Sequence, residues 1–447
     1  MEGTLGFMPI ARGRVRLAMK LAVSILFAVA SAAGAQATPI DITMARAYFE
    51  ELRQLGQSDA GKLWGRAVSG PMIFVHASSR TVVANEADAN GLLSAQDGVW
   101  VGRLPPDMNA ANTGIDFGGK RWSMVMWPVS DSKYARRRLL MHESFHRIQP
   151  ALSLSGPDRS NAHLSTANGR IWTRLEWRAL TEALLRTGAE RKQALIDALV
   201  FRARRRTLSP TAAEDERILE LNEGLAEYTG LVLSGLPRGA LHDRAAVQLA
   251  QYEQQESFVR SFAYASGPAY ALLLDAAGIP WRRGIRASSD LSAMTAQAYG
   301  IGRVEASLAE KLTDRYSGAR MIADERARDA ARVQNEVRLR ARFVDGPTLT
   351  LPIGNSFSFS FDPNGAVSLP GVGTVYETSR ITDEWGILEV TSGGVLLLRK
   401  ADGIFTGVVV PAPKAGQTTV GEGWLLTPEP RWSVQQGVRK GDLILRK

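Results

Sequence analysis

Two histidines four residues apart constrain this chain more than any other feature of its sequence. His142 and His146 flank Glu143 in the stretch 139–147, whose apolar residues have helical spacing. Because a helix turns about 100° per residue, both imidazoles lie on one face and can reach one metal ion. Two imidazoles and a carboxylate suit zinc and leave a fourth position for water. Glu143 lies beside that position, where a carboxylate can take up a proton and return it.

The same pattern also arises by chance in helices that bind no metal. The chain has five histidines, and two of them at this spacing around a glutamate favour a metal site over a structural helix. The neighbouring apolar residues provide a face for burial. They are Leu139, Leu140, Met141, Phe145 and Ile148.

Composition excludes several kinds of site and partner. The chain has no cysteine, so disulfides and thiolate ligands are excluded and any zinc must be held by histidine and carboxylate. The net charge of +9 is spread along the sequence without a nucleic-acid-binding motif, so we expect no nucleic-acid partner. The densest basic cluster, Arg202 with Arg204–Arg206, is expected on a solvated face at a helix end.

The first 37 residues have the parts of an export signal. A basic region precedes the apolar stretch Leu21 to Ala33, and small residues up to Ala37 form two cleavage sites. Met19 also starts a signal of ordinary length, so translation can begin at Met1 or at Met19. A retained amphipathic anchor is the alternative. We expect export to the periplasm or the extracellular space, with no stable membrane span after signal removal.

Hydrophobic periodicity divides the rest of the chain. Residues 40–57 have helical spacing, and two strand pairs, 71–85 and 113–127, follow as hairpins. Residues 134–320 are mainly helical, whereas short alternating runs with frequent turns begin after Phe343. We predict an α+β fold. A domain over 38–320 has an antiparallel or mixed sheet followed by helices, 321–342 is a linker helix, and 343–447 is an all-β domain.

A second motif lies in the helical part, Asn222-Glu223-Gly224-Leu225-Ala226-Glu227-Tyr228. With the histidine pair it resembles the gluzincin metallopeptidases, the group that contains thermolysin and aminopeptidase N, over roughly residues 70–290. The resemblance implies a thermolysin-like domain with one catalytic zinc, held by the two histidines and Glu223. It also implies that Glu143 activates a water on the metal. Glu227 and Asn222 are then expected behind the ligands, with Glu227 orienting a histidine.

The spacing of the two motifs departs from the family. Relatives usually place the second histidine and the ligand glutamate much closer together, whereas 77 positions separate His146 from Glu223 here. We interpret residues from about 150 to 215 as a helical insertion that packs against the catalytic domain and narrows access to the zinc. The interval contains His163 and Glu176, and each is an alternative third ligand.

Two further segments have counterparts in these peptidases. Tyr264-Ala265-Ser266-Gly267 resembles the Tyr-x-x-Gly segment of the aminopeptidase type, which implies that the Tyr264 hydroxyl stabilises the oxyanion of a tetrahedral intermediate. A tyrosine in a buried helix is the alternative. The family adds an extended peptide to an edge strand near the zinc, which implies substrate contacts at Asn112, Thr113 and Gly114. A hairpin without that role is the alternative.

The sequence therefore predicts an exported zinc metallohydrolase, in the first place a peptidase acting on peptides or proteins. The alternative is a zinc-stabilised binding protein of the cell envelope that keeps a peptidase fold without its chemistry. The intact Glu143 argues against this alternative, because a site without chemistry does not need the base.

Overall fold

The computed structural model describes residues 40–105, 108, 110–156, 159, 161–361, 366–400 and 404–447. The expected export signal lies outside these residues. Within them, no helix is both long and apolar enough to cross a membrane. The fold is α+β, with a sheet at the start, helices in the middle and further sheets at the end.

The helical elements come first. The α-helices are α1 (Ile42–Asp59), α2 (Lys133–Ile148), α3 (Ala167–Leu185), α4 (Gly188–Arg206), α5 (Ala212–Leu219), α6 (Leu225–Val232), α7 (Leu241–Tyr252), α8 (Ser261–Ala276), α9 (Trp281–Gly284), α10 (Leu291–Ala298), α11 (Ala309–Leu312) and α12 (Gly318–Arg340). Two π turns span Glu220–Gly224 and Ala341–Asp345. The 3-10 turns span Gln149–Leu152, Ala162–Ser165, Arg238–Ala240, Ala306–Leu308 and Thr313–Tyr316.

The strands form three sheets. They are β1 (Met72–His76), β2 (Thr81–Ala84), β3 (Ser94–Gln96), β4 (Val99–Arg103), β5 (Thr113–Phe117), β6 (Lys120–Trp127), β7 (Thr348–Leu351), β8 (Ser358–Phe361), β9 (Val367–Leu369), β10 (Gly373–Tyr376), β11 (Ser379–Asp383), β12 (Gly386–Val390), β13 (Val395–Arg399), β14 (Phe405–Pro411), β15 (Val420–Gly421), β16 (Trp424–Pro428), β17 (Ser433–Gln436) and β18 (Leu443–Arg446).

The first sheet is mixed and has the strand order β3-β4-β2-β1-β6-β5. The two expected hairpins are confirmed, β1 with β2 and β5 with β6, and β1 pairs in parallel with β6. Both faces of β1 are covered, because Met72 and Phe74 join the core under the helices while Ile73 and Val75 join a second cluster. β5 lies at the edge of the sheet, and β6 leads the chain into α2.

The helices after β6 share one large core with α1. Ser132 caps α2, because its side chain accepts a hydrogen bond from the Ala135 N–H. α2 packs on α6, and α6 packs on α8. The segment interpreted as an insertion forms α3 and α4, which pack on each other, while α3 also contacts α7 and α8. These two helices are therefore part of the central packing.

The predicted solvated face at the end of α4 is wrong for two of its four arginines. Arg202 and Arg205 are 2% and 0% exposed. Their spacing of three places both on the inner face of α4. Arg202 pairs with Glu176 at 2.7 Å, and Arg205 pairs with Glu216 at 2.7 Å. Buried arginines persist because carboxylates from other helices pair with them and satisfy their donors.

α12 begins three residues before the predicted linker helix and is packed near both ends. Met321 joins the helical core, and Glu325 accepts hydrogen bonds from Arg170 and Arg174 on α3. Leu339 packs into an apolar cluster with residues of the C-terminal sheets. Those sheets have the orders β17-β18-β7-β14-β13-β10-β9 and β15-β16-β12-β11-β8, so the described part of the C-terminal region is built of strands.

Candidate metal centre

Three side chains from two helical segments meet beside the first sheet. The Nε2 atoms of His142 and His146 are 3.1 Å apart, and the Glu223 Oε2 lies 3.6 Å and 3.4 Å from them. Ligands bound to zinc at about 2.0–2.1 Å with tetrahedral angles stand about 3.3–3.4 Å apart. The His142–His146–Glu223 group therefore has the spacing to hold a metal ion.

A π turn presents Glu223. α5, the turn Glu220–Gly224 and α6 follow one another without a break, and the Leu225 N–H bonds to the Glu220 carbonyl five residues back. Such a turn inserts one extra residue into the helix and occurs often at functional sites. The sequence motif predicts an ordinary helix here, because a π turn has no periodicity of its own that a single sequence reveals.

Two glycines allow α8 to approach this turn. A Cβ added to Gly267 would lie 2.4 Å from the Gly224 Cα, and a Cβ added to Gly224 would lie 2.9 Å from the Gly267 Cα. Backbones can come this close only where side chains are absent. The contact brings Tyr264, on the same face of α8, towards Glu223.

Glu227 holds His142 from behind. Its Oε2 is 3.1 Å from the His142 Nδ1, and its Oε1 accepts hydrogen bonds from Arg138 at 2.5 Å and from Gln248 at 2.7 Å. A carboxylate only accepts hydrogen bonds, so Nδ1 carries a proton, and the neutral imidazole has its lone pair at Nε2, the ligand position. The His146 Nδ1 likewise meets the Gln149 Oε1 at 3.0 Å. Sequence reasoning missed Gln149, although it lies one turn after His146.

The surrounding carboxylates favour positive charge at the ligand atoms. Burial would lower the pKa of His142, but hydrogen bonds to Glu223 and Glu227 raise it to about 10. Burial would raise the pKa of Glu223, but hydrogen bonds to the two histidines hold it well below its ordinary range. The electrostatic potential at the three ligand atoms therefore suits a cation.

Glu143 is buried beside the ligands with an unsatisfied oxygen. The residue is 3% exposed, its Oε1 lies 4.0 Å from the His142 Nε2, and its Oε2 has no hydrogen-bond partner among the described residues. Burial raises the pKa of the Glu143 carboxyl, although the two histidines oppose the shift. Leaving such an oxygen unpaired costs free energy in a purely structural site, whereas a proton acceptor needs an available lone pair.

Tyr264 contacts two of the ligands. Its hydroxyl donates a hydrogen bond to the Glu223 Oε2 at 2.6 Å, and its ring stacks on His142 with centroids 5.7 Å apart. Burial and the Glu223 charge raise the pKa of the Tyr264 hydroxyl. The hydroxyl therefore stays protonated and can act as a donor close to the ligand group.

A cavity of about 620 Å³ opens onto these residues. The three residues at the start of the edge strand that are expected to contact substrate, Asn112, Thr113 and Gly114, line it. Gly114 lies against the end of α2, where an added Cβ would be 2.9 Å from the His146 carbonyl oxygen. Asn222 is half-buried and also lines the cavity.

The alternative third ligands lie elsewhere. Glu176 is fully buried among Arg202, Arg205 and Tyr270, and the His163 Nε2 is 2.9 Å from Glu216. Neither lines the cavity, and only Glu223 completes the ligand group. The reason is that Glu176 and Glu216 pair with buried arginines of α4. The linear sequence does not reveal these pairings.

The expected narrowing of the cavity by α3 and α4 is wrong. Neither helix contributes a lining residue, and between the end of α2 and residue 215 only Gln149 and Ser155 of the described residues line the cavity. The apolar face of α3, including Trp172 and Leu175, is buried in the central core.

Comparisons with protein-family models, with curated proteins and with solved structures gave no match. A function for this chain is therefore inferred from the geometry and chemistry of the site.

Proposed function

We propose that this protein is an exported zinc-dependent hydrolase of the gluzincin type that cleaves peptide bonds. The observation that carries the proposal is the Glu143 Oε2, a buried carboxylate oxygen that has no partner among the described residues and lies beside a His-His-Glu group able to hold a metal. In a site that only stabilised the fold, an unpaired buried oxygen would lower the stability without any compensating function. Export is included because residues 1–37 have the features of a signal peptide.

The donor set supports zinc as the metal. Two imidazole nitrogens and one carboxylate oxygen form a three-ligand catalytic site that leaves a position for water or substrate. Calcium and magnesium prefer oxygen ligands throughout. The thermolysin-like arrangement that we propose for residues 38–320 is supported by the mixed sheet that leads into α2 and by the helix that presents Glu223.

The residues around the metal position have complementary tasks. When bound, zinc would acidify a water molecule and polarise the peptide carbonyl. Glu143 accepts the proton of the attacking water and delivers it to the leaving amine. Tyr264 turns its O–H from Glu223 to the oxyanion. Glu227 keeps the His142 imidazole in the tautomer that leaves Nε2 available.

The edge strand supplies the place for the substrate backbone. β5 is the last strand of its sheet, and its first residues, Thr113 and Gly114, line the same cavity as the ligands. An extended peptide can pair with an unpaired strand edge by main-chain hydrogen bonds. Such pairing would hold the scissile carbonyl between Glu143 and Tyr264.

The test compares zinc-loaded wild type with Glu143→Gln on casein and on a peptide library, with products identified by mass spectrometry. The amide keeps the shape of the side chain but cannot accept and carry the proton, so we expect one zinc per chain and a loss of about 10²–10⁴ in turnover. Glu182→Gln, in an exposed pair with Arg186 on α3, is the matched control.

Equal turnover of the wild type and Glu143→Gln would contradict the proposal. Background-level cleavage by both, with zinc retained, would favour the binding protein that keeps the fold without the chemistry.

A further inference from the structure

The cavity beside the metal centre is charged and has few apolar side chains. Of the residues that the structure describes, three arginines line it, Arg121, Arg138 and Arg260, together with three glutamates of the centre. Of the larger aliphatic residues only Leu139 is part of the described lining, and the aromatic ones are the two tyrosines Tyr252 and Tyr264. A pocket of this composition does not select a large apolar side chain, because selection of that kind depends on apolar contact area.

The balance of charge in the cavity changes when a metal binds. Among the described lining residues, three guanidinium groups offset three carboxylates, so a divalent cation with neutral imidazoles adds two positive charges to this balanced set. A cleft with walls of low dielectric concentrates such a field and attracts a ligand of opposite charge. The metal-loaded cavity therefore favours an anionic substrate group.

The arginines differ in their exposure to solvent. The side chains of Arg138 and Arg121 are 29% and 36% exposed. The side chain of Arg260 is 56% exposed, and its Nη2 lies 3.4 Å from the Glu223 Oε1. The guanidinium of Arg260 is thus close to a ligand atom of the metal centre and also accessible from the solvent.

Metal binding would also weaken the attraction between Arg260 and Glu223. A cation at the ligand group takes up much of the negative charge of the Glu223 carboxylate. Arg260 directly precedes α8, four residues before Tyr264, so its donors lie on the same side of the cavity as the oxyanion donor. A planar guanidinium matches a carboxylate in a two-pronged hydrogen bond.

We propose that Arg260 binds a substrate carboxylate next to the bond that is cleaved, which makes anionic peptides the preferred substrates. This inference rests on the proposed function. The carboxylate has two sources, the free C-terminus of the peptide or the side chain of an aspartate or glutamate. The first source corresponds to removal of C-terminal residues and the second to cleavage beside an acidic residue.

Calorimetric binding to zinc-loaded Glu143→Gln tests the inference without turnover. Three peptides are compared: an alanine peptide capped at both ends, the same peptide with a free C-terminal carboxylate, and the capped peptide with one glutamate. We expect one anionic peptide to bind about tenfold more tightly than the neutral one, the order expected of a charge-assisted pair. The identity of that peptide names the source of the carboxylate.

Variants of Arg260 assign the preference to this residue. In the same background, Arg260→Gln should remove the preference and Arg260→Lys should keep part of it, because lysine keeps the charge without the planar fork. Arg320→Gln is the matched control, since Arg320 on α12 is 93% exposed and lies outside the cavity lining. It should leave the preference intact.

The inference is overturned if all three peptides bind equally or without measurable affinity. It is also overturned if the preference survives Arg260→Gln, because the carboxylate then binds the metal alone. These failures differ from failure of the proposed function. If the wild type cleaves neutral peptides and shows no preference for anionic ones, the proposed peptidase activity stands and the role of Arg260 is excluded. If anionic peptides bind through Arg260 but the wild type does not cleave them, the role of Arg260 stands and the peptidase activity is excluded.

Discussion

Replacement of Glu227 by glutamine should weaken zinc binding although Glu227 is not itself a ligand. The buried carboxylate accepts hydrogen bonds from Arg138, Gln248 and the His142 Nδ1–H. A glutamine at this position has one acceptor oxygen and one amide group that only donates. If the side-chain NH2 group faces His142, then Nδ1 must accept a hydrogen bond from it. The proton then lies on Nε2, which loses the lone pair that a metal needs.

The size of the effect follows from this change of tautomer. Loss of the partner behind a metal-bound histidine typically costs 10- to 100-fold in metal affinity, or about 1.4–2.7 kcal/mol. Glutamine has nearly the same shape as glutamate and keeps one acceptor oxygen for Arg138 and Gln248, so the variant should fold. We therefore expect Glu227→Gln to fold and to bind zinc at least about tenfold more weakly.

Competition with a chromophoric zinc chelator measures the dissociation constant at fixed pH. Glu182→Gln, an exposed substitution of the same chemistry, should leave the constant unchanged. An unchanged constant in Glu227→Gln would refute the argument from the tautomer, and so would equal weakening in both variants.

Three further predictions address the rest of the molecule. Tyr264→Phe should lower kcat by about 10²–10³ with zinc content unchanged, and full activity in steady-state kinetics would exclude the oxyanion role. Glu176→Ala leaves two buried arginines without their shared partner, so urea denaturation should show a loss of about 3–5 kcal/mol, while loss of zinc from the folded variant would contradict the assignment of Glu223. Burial would raise the pKa of Asp290, but Arg206 and other groups lower it from 3.8 to about 2. The ionised form therefore adds stability that is complete above the unfolded pKa and lost as pH falls through about 2. Urea titrations should show that Asp290→Asn is less stable than wild type by about 2 kcal/mol at pH 7. This difference in the free energy of unfolding should narrow below pH 3.8, and a constant difference across that range would contradict the role of Asp290.

Local patterns in the sequence predict part of the fold well. The apolar spacing around His142 and His146, with Ser132 before it, predicts α2 and its cap, because both depend on residues within a few turns. The hairpin β5–β6 follows from alternation around Gly118 and Gly119 in the same way. The parallel pairing of β1 with β6 joins segments some fifty residues apart, and no local pattern encodes it.

The ligand group was predictable only in part for the same physical reason. The histidine pair is fixed by helical spacing, whereas Glu223 reaches it through a π turn and the packing of Gly224 on Gly267. The resemblance to gluzincins pointed to Glu223, and geometry distinguishes it from His163 and Glu176. Both of these are engaged by an ion cluster in the core, whose partners lie on different helices and have no common sequence signal.

The metal assignment is tested most directly by an anomalous difference map from crystals of the zinc-loaded protein, measured on both sides of the zinc absorption edge. We expect one strong peak about 2.0–2.2 Å from the Nε2 atoms of His142 and His146 and from a carboxylate oxygen of Glu223. A map without a peak at these three residues, or with a peak whose carboxylate ligand is a different residue, would contradict it.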